Sequence, residues 1–162
     1  MIRPATTNDL DLLEEMLINA RNYMHTHGNT TQWSGSYPSR TDLEWHIHLK
    51  DLYVIEMNGE VEFAFVYAQI EEPNYLNIKG KWLNENPYAV IHLVFSRMRR
   101  SHLGNQMMEY VKNQNDDIRI DTHADNISMN RLIQNNGFQY TGIIYVEDGT
   151  PRNAYHWCRN LE

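Results

Sequence analysis

Four neighbouring positions, Arg97 to Arg100, hold three arginines, and they sit between an apolar run and the start of a helix. The run reads Tyr88-Ala89-Val90-Ile91-His92-Leu93-Val94-Phe95, and the helix opens at Leu103-Gly104 and continues through Met107, Met108, Tyr110 and Val111. A helix start carries unpaired N–H groups and a partial positive charge, so strand, basic turn and helix together suit a phosphate-bearing ligand. Inside the run, His92 is the one imidazole, a side-chain type suited to proton transfer, which makes it a candidate general base. The other reading is a hydrogen-bonded histidine on a sheet face. Asp121 lies in the next apolar stretch, where it would either anchor a cationic ligand or pair with Arg119 or Arg152.

The elements that must position these groups follow from pattern. Met1 to Ala5 reads as an edge strand. Thr6 and Asp9 form a capping box ahead of a helix that lines up Leu10, Leu13, Met16 and Leu17 on one face. Asn22 to Arg40, with Gly28, Gly35, Pro38, Trp33 and Tyr37, reads as a loop packed over something. Thr41 to Glu44 is a second box, opening a helix to about Lys50. Asn58-Gly59 turns a hairpin between Leu52–Met57 and Val61–Ile70, and Asp148-Gly149 turns another between Gln139–Val146 and Asn153–Cys158. Glu71 to Asn86 reads as a loop, Ile118 to Thr122 as a short strand, and Asn126 to Asn136 as a helix closed by Gly137. The resulting order is β-α-α-β-β-β-α-β-α-β-β. It predicts an α/β protein of the α+β type, with mixed strand pairing.

Composition narrows the function classes. The 162 residues suit a single domain, 1–162, with a real core. Fourteen basic and 21 acidic residues leave a formal charge of −7, which argues against a nucleic-acid partner and favours a cationic one. The single cysteine, Cys158, forms no internal disulfide and suits a reducing compartment. The first residues show no charged-then-apolar signal pattern, and the apolar run at Tyr88–Phe95 is too short to span a bilayer. The expectation is a cytoplasmic protein that does not enter membranes. The eight histidines lack metal-ligand spacing: His25 and His27 fall in a loop, His46 and His48 on different helix faces. No metal is expected.

Two motifs in this layout resemble the GNAT acetyltransferase superfamily, and the resemblance spans essentially the whole chain. Arg99-Arg100-Ser101-His102-Leu103-Gly104, preceded by Leu93-Val94-Phe95, is similar to the family's R-x-x-G-x-G/A turn. Asn126, then Met129-Asn130-Arg131-Leu132, then Gly137-Phe138 is similar to its Asn–helix–Gly-Phe pattern. The resemblance, closest to a bacterial subgroup acting on small substrates, implies a central twisted mixed sheet of about seven strands with helices on both faces. It also implies acetyl-CoA as co-substrate and an amine, small-molecule or peptide, as acceptor. By position, Arg99, Arg100, Ser101, His102, Leu103 and Gly104 would hold pyrophosphate. The backbone at Leu93 and Val94 would meet pantetheine, Asn126 would contact the cofactor, and Trp33 and Tyr37 would line the acceptor pocket or pack over the sheet edge. The fold often pairs through sheet edges, which leaves a homodimer open.

The chain departs from the pattern in two ways. Arg100 and His102 replace frequent glycines; His tolerates positive φ, and Arg100 adds a phosphate contact. Ile133 occupies the position where many members carry a tyrosine acid. Tyr140 and Tyr145 are candidate stand-ins, with strand packing the other reading. The implied function is N-acetyl transfer by direct attack of the amine. The alternative is a non-catalytic acyl-CoA-binding or sensing module.

Overall fold

The computed structural model describes residues 1–97 and 101–160, with Ser101 described by its backbone alone. Among the described residues, eight strands and four α-helices follow in chain order. They are β1 (Ile2–Pro4), α1 (Leu10–Thr26), α2 (Arg40–Leu49), β2 (Leu52–Met57), β3 (Glu60–Ala68), β4 (Lys79–Gly80), β5 (Ala89–Ser96), α3 (Ser101–Lys112), β6 (Asp117–Thr122), α4 (Ile127–Asn135), β7 (Gln139–Tyr145) and β8 (Pro151–Cys158). The eight strands form a mixed sheet ordered β1-β2-β3-β5-β6-β8-β7-β4.

The chain divides into two compact units, one of residues Met1–Tyr67 and His92–Leu103, the other of Ala68–Ile91 and Gly104–Glu162. In the first, Leu10, Leu13, Met16 and Leu17 of α1 and Leu43 of α2 pack with Leu52, Val54, Ala64, Val66, Leu93 and Phe95 of the strands. The face expected of α1 is therefore the face it buries. The Thr6–Asp9 box forms, with the Thr6 N–H donating to Asp9 Oδ2 at 2.8 Å. Arg3 completes this corner by reaching Asp9 and Glu56. The turn between β2 and β3 has φ of 54° at Asn58 and 80° at Gly59, the left-handed pair that a two-residue hairpin demands.

In the second unit, β6 pairs with β8 from Asp117↔Cys158 to Thr122↔Asn153, and β8 pairs with β7. Alternation along β8 sends neighbouring side chains to opposite faces. Tyr155 meets α4 through Asn130 and Gln134, whereas His156 meets Trp82 and Leu83 of the segment before β5. Residues Ala89–Ile91 of β5 run parallel to Ile118–Ile120 of β6.

Several boundaries differ from expectation. Helix α1 continues to Thr26, because nothing breaks it before Gly28 at φ 91° and Tyr23 stacks on His27 at 3.7 Å. His25 is thus helical rather than in a loop. Helix α2 starts two residues early, at Arg40, because the box that forms is Ser39 with Asp42. Helix α3 already runs from Ser101. The segment read wholly as loop contributes β4, an eighth strand. Among the described residues, no helix is long and apolar enough to cross a membrane.

Candidate functional site

In the first unit the expected site residues cluster along β5. Leu93 has φ of +53° in mid-strand, a left-handed conformation that a non-glycine residue adopts at a cost. Its side chain is only 8% exposed and belongs to the core with α1 and α2, so packing holds the backbone in this state. The backbone at Leu93 and Val94 is the part expected to meet a pantetheine arm. His92 and Val94 are half-buried. From the loop after α1, Trp33 packs against the same core, and Tyr37 is 53% exposed. Trp33 is thus half-buried and Tyr37 largely exposed.

Arg99 and Arg100 lie outside the described residues, as does the side chain of Ser101. His102 is exposed and helical, in the first turn of α3, so no left-handed backbone is asked of it. That corrects the expectation that a histidine's tolerance of positive φ matters here. Leu103 is fully buried. Leu103 can therefore offer a ligand its backbone N–H but not its side chain.

In the second unit, Asp121 sits on β6 opposite Ala154 and is half-buried. Its Oδ2 accepts the Tyr75 hydroxyl at 2.6 Å, within the range of a charge-assisted O–H···O⁻ bond. Burial, and then the Asp121 charge, push the Tyr75 pKa well up, so the phenol keeps its proton. The buried Arg152 guanidinium lies in the field of Asp121 and Asp148, and its Nη1 donates to Thr150 Oγ1 and the Pro151 carbonyl.

The turn from β6 into α4 is tied by its own polar groups. The Asp125 N–H donates to His123 Nδ1 at 3.0 Å, and burial followed by Arg152 lowers the His123 pKa, so the ring caps the loop in its neutral form. Asn126 caps α4, its Oδ1 accepting the Met129 N–H at 3.2 Å. Asn130 binds the turn from inside: its amide donates to the carbonyls of His123 and Asn126, and its Oδ1 accepts Tyr155 Oη–H at 2.7 Å. Tyr140 is 56% exposed and touches the Tyr155 ring edge-on. Ile133 is fully buried, so the helix position that often carries an acid projects into the core. Gly104 packs against α4, where an added Cβ would stand 2.7 Å from Leu132 Cδ2. Any larger residue here would push the Leu132 side chain aside.

Sequence reasoning missed Tyr75 as a partner of Asp121. Its signal was faint: Pro73-Asn74-Tyr75 is a Pro-led turn carrying an aromatic, inside a segment that otherwise reads as loop. Arg152 was weighed as a partner for Asp121, and the two do interact electrostatically.

No family model matches the chain, and no curated protein matches it significantly. Solved structures do match. A GNAT-family acetyltransferase from Streptococcus agalactiae 2603 superposes with a TM-score of 0.90 at 26% identity, covering 99% of this chain and 96% of that chain. An aminoglycoside acetyltransferase in complex with coenzyme A and kanamycin gives 0.67 at 18% identity, covering 98% and 94%. A ribosomal-protein-alanine N-acetyltransferase from Brucella melitensis gives 0.64 at 15% identity, covering 98% and 99%. At those lower identities the likeness concerns the fold.

Proposed function

We propose, from a chain that has the GNAT acetyltransferase fold, that it moves an acetyl group from acetyl-CoA to a primary amine, acting as one domain over residues 1–162. The observation that carries this reading is Leu93: a buried, left-handed leucine in mid-strand, at the place where the resemblance puts the thioester arm. Strain of this kind persists only where surrounding structure over-determines it, and it concentrates at functional sites.

The residues fit the co-substrate in kind. Arg99, Arg100, the first-turn amides from Ser101 to Gly104 and the neighbouring His102 supply donors for pyrophosphate. The Leu93 and Val94 backbone meets pantetheine, and Asn126 contacts it from the start of α4, its Oδ1 being already engaged. Bound acetyl-CoA supplies an activated acyl thioester. His92 accepts the proton of the attacking amine, and strand N–H groups polarise the carbonyl oxygen. The new N–C bond forms as the C–S bond breaks, and the thiolate takes a proton from Tyr140 or from water. Asp121 draws a cationic acceptor towards the site, and Trp33 and Tyr37 offer it apolar surface. The acidic chain and its lone cysteine support a small or peptidic amine as partner in the cytoplasm, rather than nucleic acid.

Buried Ile133 favours a second reading, an acyl-CoA-binding module without turnover. One experiment separates the two. Calorimetry with acetyl-CoA on the parent and on Arg99→Ala/Arg100→Ala should show roughly micromolar binding that weakens at least about tenfold in the double variant. Thiol release against an amine panel should then show turnover. Binding without turnover selects the module, and no binding by the parent sinks both readings.

A further inference from the structure

We infer that Asn130 is a positioning residue, whose side-chain amide fixes the turn from β6 into α4 and so sets the direction in which Asn126 meets the acetyl-CoA arm. The inference rests on the proposed contact between Asn126 and the co-substrate, and it adds the residue that gives that contact its geometry. Asn130 is the fourth residue of α4, and both ends of its amide are engaged. Its Nδ2 donates to the carbonyls of His123 at 3.0 Å and of Asn126 at 2.9 Å, with the Ala124 carbonyl further off at 3.5 Å. The first two carbonyls also accept backbone N–H groups, His123 from Asn126 and Asn126 from Asn130, both at 3.0 Å. The side chain thus spans the turn from its first residue to its last. Its Oδ1 accepts Tyr155 Oη–H at 2.7 Å and Asn153 Nδ2–H at 3.1 Å.

Those two donors come from the sheet itself. Asn153 and Tyr155 are two apart on β8, hence on one face. Strand β8 is paired on both sides, with β6 at Thr122↔Asn153 and Ile120↔Tyr155, and with β7 at Ile143↔Asn153 and Tyr140↔Tyr155. Tyr155 is 2% exposed, and burial pushes its pKa up, so the phenol keeps its proton and donates. A strand held from two sides is a fixed reference, and Asn130 carries it to the turn. Reversing the amide would set its oxygen against two carbonyls, so one orientation is allowed. Asparagine is a poor helix former, and an apolar residue would suit a helix face against a sheet; the amide is explained by the turn it ties. At the end of that turn Asn126 Oδ1 accepts the Met129 N–H and Ser128 Oγ–H. The end of the Asn126 amide that can serve a ligand is Nδ2, a donor suited to the carbonyl oxygens of pantetheine, and its direction follows the turn.

The test measures acetyl-CoA affinity by calorimetry in the parent, Asn126→Ser, Asn130→Leu, Tyr155→Phe and the double variant Asn126→Ser/Asn130→Leu. Serine caps a helix as asparagine does, so Asn126→Ser removes the Nδ2 donor and keeps the cap. Leucine branches at the same atom as asparagine, adds no charge to disturb an anionic ligand and favours the helix. Thermal melts verify folding. Asn126→Ser and Asn130→Leu should each weaken binding roughly three- to tenfold, and Tyr155→Phe less, roughly two- to threefold. The double variant should bind no more weakly than the weaker single one, because a residue that acts through Asn126 then has nothing left to position. A merely structural asparagine would give losses that multiply. Multiplied losses, or parent-like binding by Asn130→Leu beside weakened binding by Asn126→Ser, overturn the role of Asn130 alone. Parent-like binding by Asn126→Ser overturns it together with the Asn126 contact, and Arg99→Ala/Arg100→Ala still judges the acetyltransferase reading. No binding by the parent overturns that reading as well. If Asn130→Leu does not fold, Tyr155→Phe, alone and combined with Asn126→Ser, is read by the same rule.

Discussion

Leu93 shows how much one residue's backbone determines. A left-handed conformation costs a non-glycine residue about 1 kcal/mol or more, and a β-branched side chain raises that cost further. Leu93→Ile keeps the volume that α1 and α2 enclose but brings a branched Cβ to φ +53°. We expect it to cost about 1–3 kcal/mol in urea denaturation, while Ile91→Leu, in regular strand, costs less. Equal costs would mean that the strain is not real. At this scale the sequence supplied residue types, and its family resemblance pointed to Leu93 and Val94 as the expected place for backbone contacts. It did not reveal the positive φ, because no glycine or asparagine marks it; the kink is imposed by packing. Gly104 is the reverse case. It was read as a phosphate-turn glycine, and it also lies so close to Leu132 that an added Cβ would make that side chain move.

Among elements, the segment between β3 and β5 gained most from the structure. Read as loop, it covers one face of the second unit through a buried polar and aromatic network. Asp117 accepts from Asn84 and from His156 Nε2–H, the latter at 2.8 Å, while the Leu83 N–H donates to His156 Nδ1 at 3.2 Å. The Arg119 guanidinium lies 4.3 Å from the Trp82 ring and 4.1 Å from the Tyr88 ring, and it donates to the Asn84 carbonyl. The edge of this segment is pinned where β4 meets β7 at Gly80 and Gly142. A Cβ on Gly142 would lie 2.2 Å from the Lys79 carbonyl oxygen, at φ +145°. Backbone cannot yield as a side-chain tip does, so Gly142→Ala should cost at least about 2 kcal/mol. Gly149→Ala meets nothing within 4 Å, so its cost should reflect φ alone and be smaller. Thermal melts of the two variants compare them directly; equal losses would show that the β4–β7 contact carries no weight.

For the whole molecule, charge and buried histidine set the response to pH. His156 is fully buried, and burial lowers its pKa against the pull of Asp117. The Leu83 N–H requires an unprotonated Nδ1, which agrees with a neutral ring. His123 shifts in the same direction. An unfolded histidine titrates near 6.5, so below that pH the unfolded chain binds more protons than the folded one. The stability these groups contribute is complete above about pH 6.5 and is lost as pH falls towards their folded values. The thermal midpoint should therefore drop between pH 7.5 and 5.5, and His156→Gln should flatten that slope while lowering the midpoint at pH 7.5. An unchanged slope in the variant would show that His156 does not titrate with unfolding.

The sequence by itself determined what is local or periodic. The α1 stripe, the first capping box, both hairpin turns, the order of the longer elements and the strand–turn–helix with its resemblance to GNAT enzymes are all written in neighbours a few residues apart. Near-neighbour spacing sets those features, so no distant contact is needed to read them. Only the tertiary structure decided which groups meet across long separations. Tyr75 donates to Asp121, 46 residues away in the chain. Tyr155 of β8 binds Asn130 of α4, and Leu83 binds His156, contacts that no local pattern encodes. It also decided that Leu93 turns left-handed and that Ile133 points inward. Burial and register are properties of the folded assembly, and side chains take their partners only after the sheet has set them side by side.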